Sequence, residues 1–134
     1  QTSETIEALD KMKGIDIMET TSGDIIYLLL NNSKAPTDDE HIRKALAYML
    51  DYDVVCNQVY PNSKKADSII SKNLLGHKKM TDYSFNIEKA KEEIAKSKYA
   101  DNIQDYPIEV CWVAETPDRE KLALLIQAAA DRSE

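Results

Sequence analysis

Two histidines, a run of three carboxylates and two cysteines are the residues of this sequence best suited to hold a metal or act on a substrate. His41 falls in the first turn of an expected helix, and His77 lies in a polar loop beside Lys78 and Lys79. Neither has a second His, Cys or carboxylate at metal-ligand spacing, so both read as surface histidines. Asp38-Asp39-Glu40 has the makings of a hard-cation cluster. It follows Thr37 and precedes an apolar-periodic segment, however, so Thr37 and Glu40 read as a capping box with two further acids favoured by the helix dipole. Gly14, Gly23 and Gly76 are isolated, and neither a glycine-rich phosphate loop nor a Gly-x-Ser-x-Gly elbow is present. The expectation is a protein that is not an enzyme, with no catalytic residue, no cofactor and no metal. Cys56, in a short helix, and Cys111, in an apolar run, read as buried free thiols, with a single bridge as the alternative.

The formal charge of −7 argues against a nucleic-acid partner, which requires a basic stripe. Lys64, Lys65, Lys72, Lys78 and Lys79 gather in one region, but they are interspersed with Asp and Asn and read as a solvated face. No apolar run approaches the roughly 18–20 residues that span a bilayer. A length of 134 residues suits one domain with a core of its own.

The elements that would position these residues follow from periodicity and punctuation. Residues 3–13 read as a helix capped by Ser3, with Ile6, Leu9 and Met12 on one face and Gly14 as its stop. Residues 15–18 alternate like a strand, a turn over 21–24 follows, and the apolar run 25–30 has the length of a strand buried on both faces. After the loop through Pro36, Ile42, Ala45, Leu46, Met49 and Leu50 make the apolar face of a helix. Asp53 is expected to cap a shorter helix that ends at Pro61. Residues 62–83 read as a long polar loop with Ile69-Ile70 and Leu74-Leu75 as anchors. Asn86 caps a helix to about residue 97. Residues 108–113 read as a strand, and Thr116 with Pro117 at the first position opens the last helix. The expected class is α/β, with helices packed on a mixed sheet. In such sheets ligands gather at the loops leaving the strands, here 31–37 and 114–117.

One stretch carries a family resemblance. Tyr27-Leu28-Leu29-Leu30-Asn31, Pro36-Thr37-Asp38-Asp39, Ile42-Arg43-Lys44-Ala45-Leu46 and Met49-Leu50-Asp51-Tyr52-Asp53-Val54-Val55 stand in order and without gaps. They resemble the signature of bacterial extracellular solute-binding proteins of family 5, the oligopeptide-, dipeptide- and nickel-type receptors of ABC importers. Tyr83 to Ile94 resembles the family's next helix entry, with Ile87 where proline is usual. Roughly residues 14–134 are covered. The resemblance implies a partial lobe of a two-lobed periplasmic-binding-protein-like fold. Residues 1–134 are then expected to be a single domain, a fragment of lobe II of a larger protein. The absence of an initiating Met, a signal segment or a lipobox cysteine near Gln1, and helical sequence running to Glu134, agree with that expectation.

What the resemblance implies about function is capture of a peptide or other small solute by a two-lobed clamp. Delivery would be to an ABC permease, from an extracellular, lipid-anchored or periplasmic monomer. The loop matching 114–116 would face the cleft, making Trp112, Glu115 and Thr116 the candidate ligand-binding residues. Where some family members place an arginine for a peptide carboxylate, this chain has Glu115 and Thr116, and Arg119 falls already inside the helix. Trp112 reads as a cleft-lining aromatic or, favoured on sequence, a core tryptophan on its strand. The rival readings are a peptide-sensing or adhesion protein using the same fold without transport, and a stand-alone α/β interaction domain.

Overall fold

The computed structural model describes residues 3–18, 20, 22–80 and 82–132. Of Ser3 only the backbone is described, so the capping role expected of its side chain is not, and the part of Thr21 in the turn over 21–24 and the helical run through Ser133 and Glu134 lie outside the described residues. The elements in chain order are α1 (Ser3–Asp10), α2 (Glu40–Met49), a short α3 (Tyr52–Val54) that widens into a π turn (Val55–Val59), α4 (Ile87–Lys96), a 3₁₀ turn (Ile103–Asp105) and α5 (Pro117–Asp131).

The core is the seam between α2 and α4. Ile42, Ala45, Leu46 and Met49 recur at helical spacing and are buried, so one face of α2 is apolar from end to end. Opposite them stands Ala90, fully buried, whose small side chain lets the two helices approach closely. Ala129 of α5 joins the same cluster, while Leu30, Tyr48, Ile87, Ile94, Tyr99 and Ile103 pack around it half-buried. Asn86 caps α4 as expected, accepting from the Lys89 N–H at 2.9 Å. The Asn86 N–H itself donates to the Tyr48 carbonyl at 2.9 Å, tying the start of α4 to the end of α2. Tyr48 and Tyr83 meet edge to face beside that joint, with ring centroids 5.0 Å apart.

The expected α/β class is overturned: among the described residues there is neither a strand nor a sheet. Segments 15–18, 25–30 and 108–113 carry β-branched and apolar residues, but propensity only marks what suits a pleated surface. A strand exists when a second backbone pairs with it, and none of these segments forms a ladder with another described one. Their side chains are accordingly not those of a buried sheet. Leu29 is 86% exposed, and Ile26, Tyr27 and Leu28 are exposed as well. The core position favoured for Trp112 fails for the same reason, since with no sheet to cover it the indole is 44% exposed. Both cysteines are free, but only Cys56 is partly covered; Cys111 is exposed rather than buried.

Two caps also differ from expectation. Asp39, not Thr37, caps α2, accepting from the His41 N–H at 2.8 Å. The Thr37 hydroxyl turns instead to the carbonyls of Asn31 (2.7 Å) and Lys34 (3.1 Å), closing the loop before the helix. Asp51 rather than Asp53 caps α3, accepting from the Val54 N–H at 3.0 Å. In both cases a carboxylate two residues from the expected cap has the reach for the orphan N–H groups. The Ala35–Pro36 peptide is cis, and Pro36 is fully buried beneath this loop.

Candidate functional site

Two loops carry the chemistry singled out in the sequence, and they are built in opposite ways. The first, 31–39, is closed on itself and onto the end of α4. Asn31 accepts from the Ser33 N–H through its side chain at 3.0 Å, and the Asp38 N–H donates to the Lys34 carbonyl at 3.0 Å. The Arg43 guanidinium reaches back from α2 to the carbonyls of Thr37 (2.9 Å) and Asp38 (3.0 Å). The second oxygen of Asp39 accepts from the Ser97 hydroxyl and the Lys98 N–H, both at 2.9 Å. Asp38 accepts from Lys98 Nζ at 2.7 Å and from the Tyr99 hydroxyl at 2.8 Å. In the first turn of α2, His41 Nδ1 meets Glu93 Oε2 at 2.8 Å, and Lys96 meets the other oxygen of Glu93 at 2.7 Å.

These contacts set the charges. The Lys98 ammonium and the Tyr99 hydroxyl hold the Asp38 carboxyl below its ordinary range. Burial pushes Asp39 up, but the N–H groups of Lys98 and His41 and the Ser97 hydroxyl together outweigh it, so its carboxyl also lies low. Glu93 is drawn down to about 2, first by the imidazole N–H of His41 and then by Lys96. An acceptor at 2.8 Å from Nδ1 requires the proton on that nitrogen, in either charge state of the ring. Asp38, Asp39 and His41 are therefore engaged in holding α2 to α4, and of the loop 31–37 the Thr37 side chain is turned inward.

The second loop, at the start of α5, is open. Leu122, Ala123, Leu125, Ile126 and Ala129 give α5 an apolar side, and Ala123, Ile126 and Ala129 are buried. That side packs on α2 and on the π turn, where Val59 is buried. The packing fixes where the first turn of α5 stands and hence where Trp112, Glu115 and Thr116 are presented. The three lie together on one short segment. The Thr116 N–H donates to the Val113 carbonyl at 3.1 Å and the Arg119 N–H to the Thr116 carbonyl at 3.0 Å. Thr116 occupies the cap position, yet its side chain makes no capping bond. Glu115 and Trp112 are exposed. Asp118 pairs with Lys121 at 3.1 Å, so the one ion pair of this turn lies within the helix. The turn has an aromatic face, a hydroxyl and a carboxylate free to meet a ligand.

Sequence reasoning missed Tyr60. Its hydroxyl is buried without a hydrogen-bond partner among the described residues. Burial raises its pKa, and the Asp118 carboxylate adds to the rise, which puts the ring beside the first turns of α5. A tyrosine closing a short helix ahead of Pro61 carries no local signal of such a neighbour, because α5 begins more than fifty residues later.

Residues 1–132 match the family described as "Bacterial extracellular solute-binding proteins, family 5 Middle". Among curated proteins the chain is similar to Heme-binding protein A of Haemophilus influenzae, 28% identical over 90% of this chain and 23% of that protein. It is similar to the Dipeptide-binding protein of Escherichia coli, 29% identical over 92% of this chain and 24% of that protein. A probable D,D-dipeptide-binding periplasmic protein of Escherichia coli is 26% identical over 95% of the chain and 24% of its own length. The chain thus spans about a quarter of the length of the curated relatives it matches. No solved structure matches it significantly. A match that runs through the latched loop, the α2–α4 seam and the open turn alike places this chain in family 5 of the bacterial extracellular solute-binding proteins.

Proposed function

We propose that this chain is part of lobe II of an extracellular or periplasmic receptor that captures a peptide and hands it to an ABC importer. The observation that carries the reading is the match over residues 1–132 to the middle of the solute-binding family. Two of the relatives named above are described as dipeptide-binding, which supports a peptide as the solute. In this reading the open turn 112–116 is the ligand-facing part of the chain. Trp112 stacks on the solute, while Thr116 and Glu115 supply a donor and an acceptor. A carboxylate at Glu115 disfavours the carboxyl end of a peptide there and favours a neutral or cationic group. Binding by closure of two lobes needs groups from both, so the chain by itself binds weakly. No covalent step is involved.

Ligand-induced stabilisation of the full-length receptor tests this, with a panel of dipeptides, D,D-dipeptides, heme and a metal chelate. A solute at a hundred times its Kd stabilises the folded receptor by about 2.7 kcal/mol. Stabilisation by a dipeptide and not by heme is the expected result. A shift with heme alone moves the solute class to that of the heme-binding relative. No shift across the panel, in a receptor that unfolds cooperatively, contradicts solute capture and favours a sensing or adhesion role.

A further inference from the structure

Residues 67–80 form a compact Ω-loop that the function above does not use. Its ends are joined by the Met80 N–H donating to the Asp67 carbonyl at 2.8 Å. Inside it the Leu74 N–H donates to the Ser71 carbonyl (2.9 Å) and the His77 N–H to the Leu74 carbonyl (3.3 Å). His77 Nδ1 donates to the Ile70 carbonyl at 2.8 Å. The Asp67 carboxylate receives Lys72 at 3.2 Å, with His77 Nε2 at 3.7 Å. Gly76 turns the chain at a φ of 93°, a conformation open to glycine. The Tyr27 hydroxyl fastens the loop to the body through the Ile69 carbonyl at 2.6 Å.

A loop so well bonded has the means to fold its leucines inward, yet it holds them out. Leu75 is fully exposed and Leu74 more than half exposed, with Ile69 and Met80 exposed on the same loop. Around them the charge is reversed from the rest of the molecule. Between 64 and 80 five lysines stand against a single aspartate, in a chain of net charge −7. Lys64, Lys78 and Lys79 are exposed.

We propose that this loop docks the protein on an anionic membrane surface, with Leu74 and Leu75 entering the headgroup layer and Lys64, Lys78 and Lys79 meeting its phosphates. Apolar burial and charge attraction are each weak alone and together give reversible anchoring. The acidic remainder of the chain is repelled by the same surface, so only this face approaches it. A bilayer accepts a projecting tip without a matching groove, which favours it over a protein partner. The proposal uses none of the residues of the turn 112–116, and it stands whether or not the solute is a peptide.

Co-sedimentation of the protein with phosphatidylcholine vesicles, with and without one-third phosphatidylglycerol, tests the proposal. Binding to the anionic vesicles and not to the neutral ones is expected, and raised salt weakens it. Leu75→Ser lowers the partition coefficient about tenfold, and Lys78→Glu with Lys79→Glu lowers it by at least about tenfold. Leu124→Ser, at an exposed leucine of α5, leaves it unchanged. Equal binding to both vesicle types overturns the proposal, as does an equal loss with Leu124→Ser, which reports general apolar stickiness. Absence of vesicle binding in the folded protein also overturns it and assigns the loop to a protein partner instead.

Discussion

The loop ahead of α2 and the segment ahead of α5 both stand where an apolar run gives way to a helix, and they have opposite fates. In the first, the side chains next to α2 all have partners. Asp39 caps α2 and grips Ser97 and Lys98, Asp38 holds Lys98 and Tyr99, and Arg43 covers two carbonyls. In the second, the cap residue Thr116 makes no side-chain bond, Glu115 points to solvent and Trp112 is half-open. A carboxylate that already accepts three hydrogen bonds has little left to offer a solute. Asp38 and Asp39 are therefore engaged in holding the scaffold together, whereas the proposed ligand contacts fall to residues whose side-chain bonds are unmade.

The difference breaks first at the core on which the latch sits. Ile42→Ala removes a buried side chain from the α2–α4 seam and is expected to cost about 3 kcal/mol in denaturant unfolding. A loss under about 1 kcal/mol would mean that the seam collapses around the gap. Next comes the latch itself. Asp39→Ala removes a helix cap and leaves two donors of the α4 end unsatisfied, with an expected loss of about 2 kcal/mol. Asp39→Asn keeps an acceptor and should recover part of that. Equal losses for the two variants would assign the effect to charge rather than to the cap.

A smaller effect appears in acid. The Glu93 carboxyl lies near 2 in the folded chain against an ordinary 4.5. A group with a depressed folded pKa stabilises fully above its unfolded value and loses that contribution as pH falls through the folded one. Stability should therefore decline between pH 4.5 and about 2 as the His41–Glu93–Lys96 contact is protonated, and Glu93→Gln should flatten that part of the profile. Parallel profiles for the two proteins would remove Glu93 from the latch. The smallest effect on folding belongs to the open turn: Trp112→Ala should change stability by less than about 0.5 kcal/mol, because the indole has little to lose.

Much of the helical scaffold was legible in the sequence. The apolar spacing of Ile42, Ala45, Leu46 and Met49 gave the buried face of α2, Asn86 announced α4, and Pro117 marked the first turn of α5. What was not legible depends on partners. The runs 25–30 and 108–113 have the composition of strands, but pairing is a property of two segments, and a single segment cannot report it. Thr37 was misread as the cap because its hydroxyl has two carbonyls within reach that only the folded loop supplies. The latch joins Asp39 to Ser97 across fifty-eight residues, a distance no local pattern spans. Of the candidate site, the loop at 114–117 and the opening of α5 at Pro117 followed from the sequence, whereas the loss of the strand expected to carry Trp112, the exposure of that indole and the orphan hydroxyl of Tyr60 did not.

The most direct measurement is ligand-induced thermal stabilisation of the full-length receptor, read side by side for the unchanged protein, Asp39→Ala and Trp112→Ala. If the latch is scaffold and the turn before α5 faces the solute, Asp39→Ala unfolds at a lower temperature but keeps its ligand shift. Trp112→Ala unfolds at the original temperature and loses most of the shift. The reverse pattern, with the shift abolished by Asp39→Ala at unchanged intrinsic stability and intact in Trp112→Ala, would contradict the division of labour between the two loops.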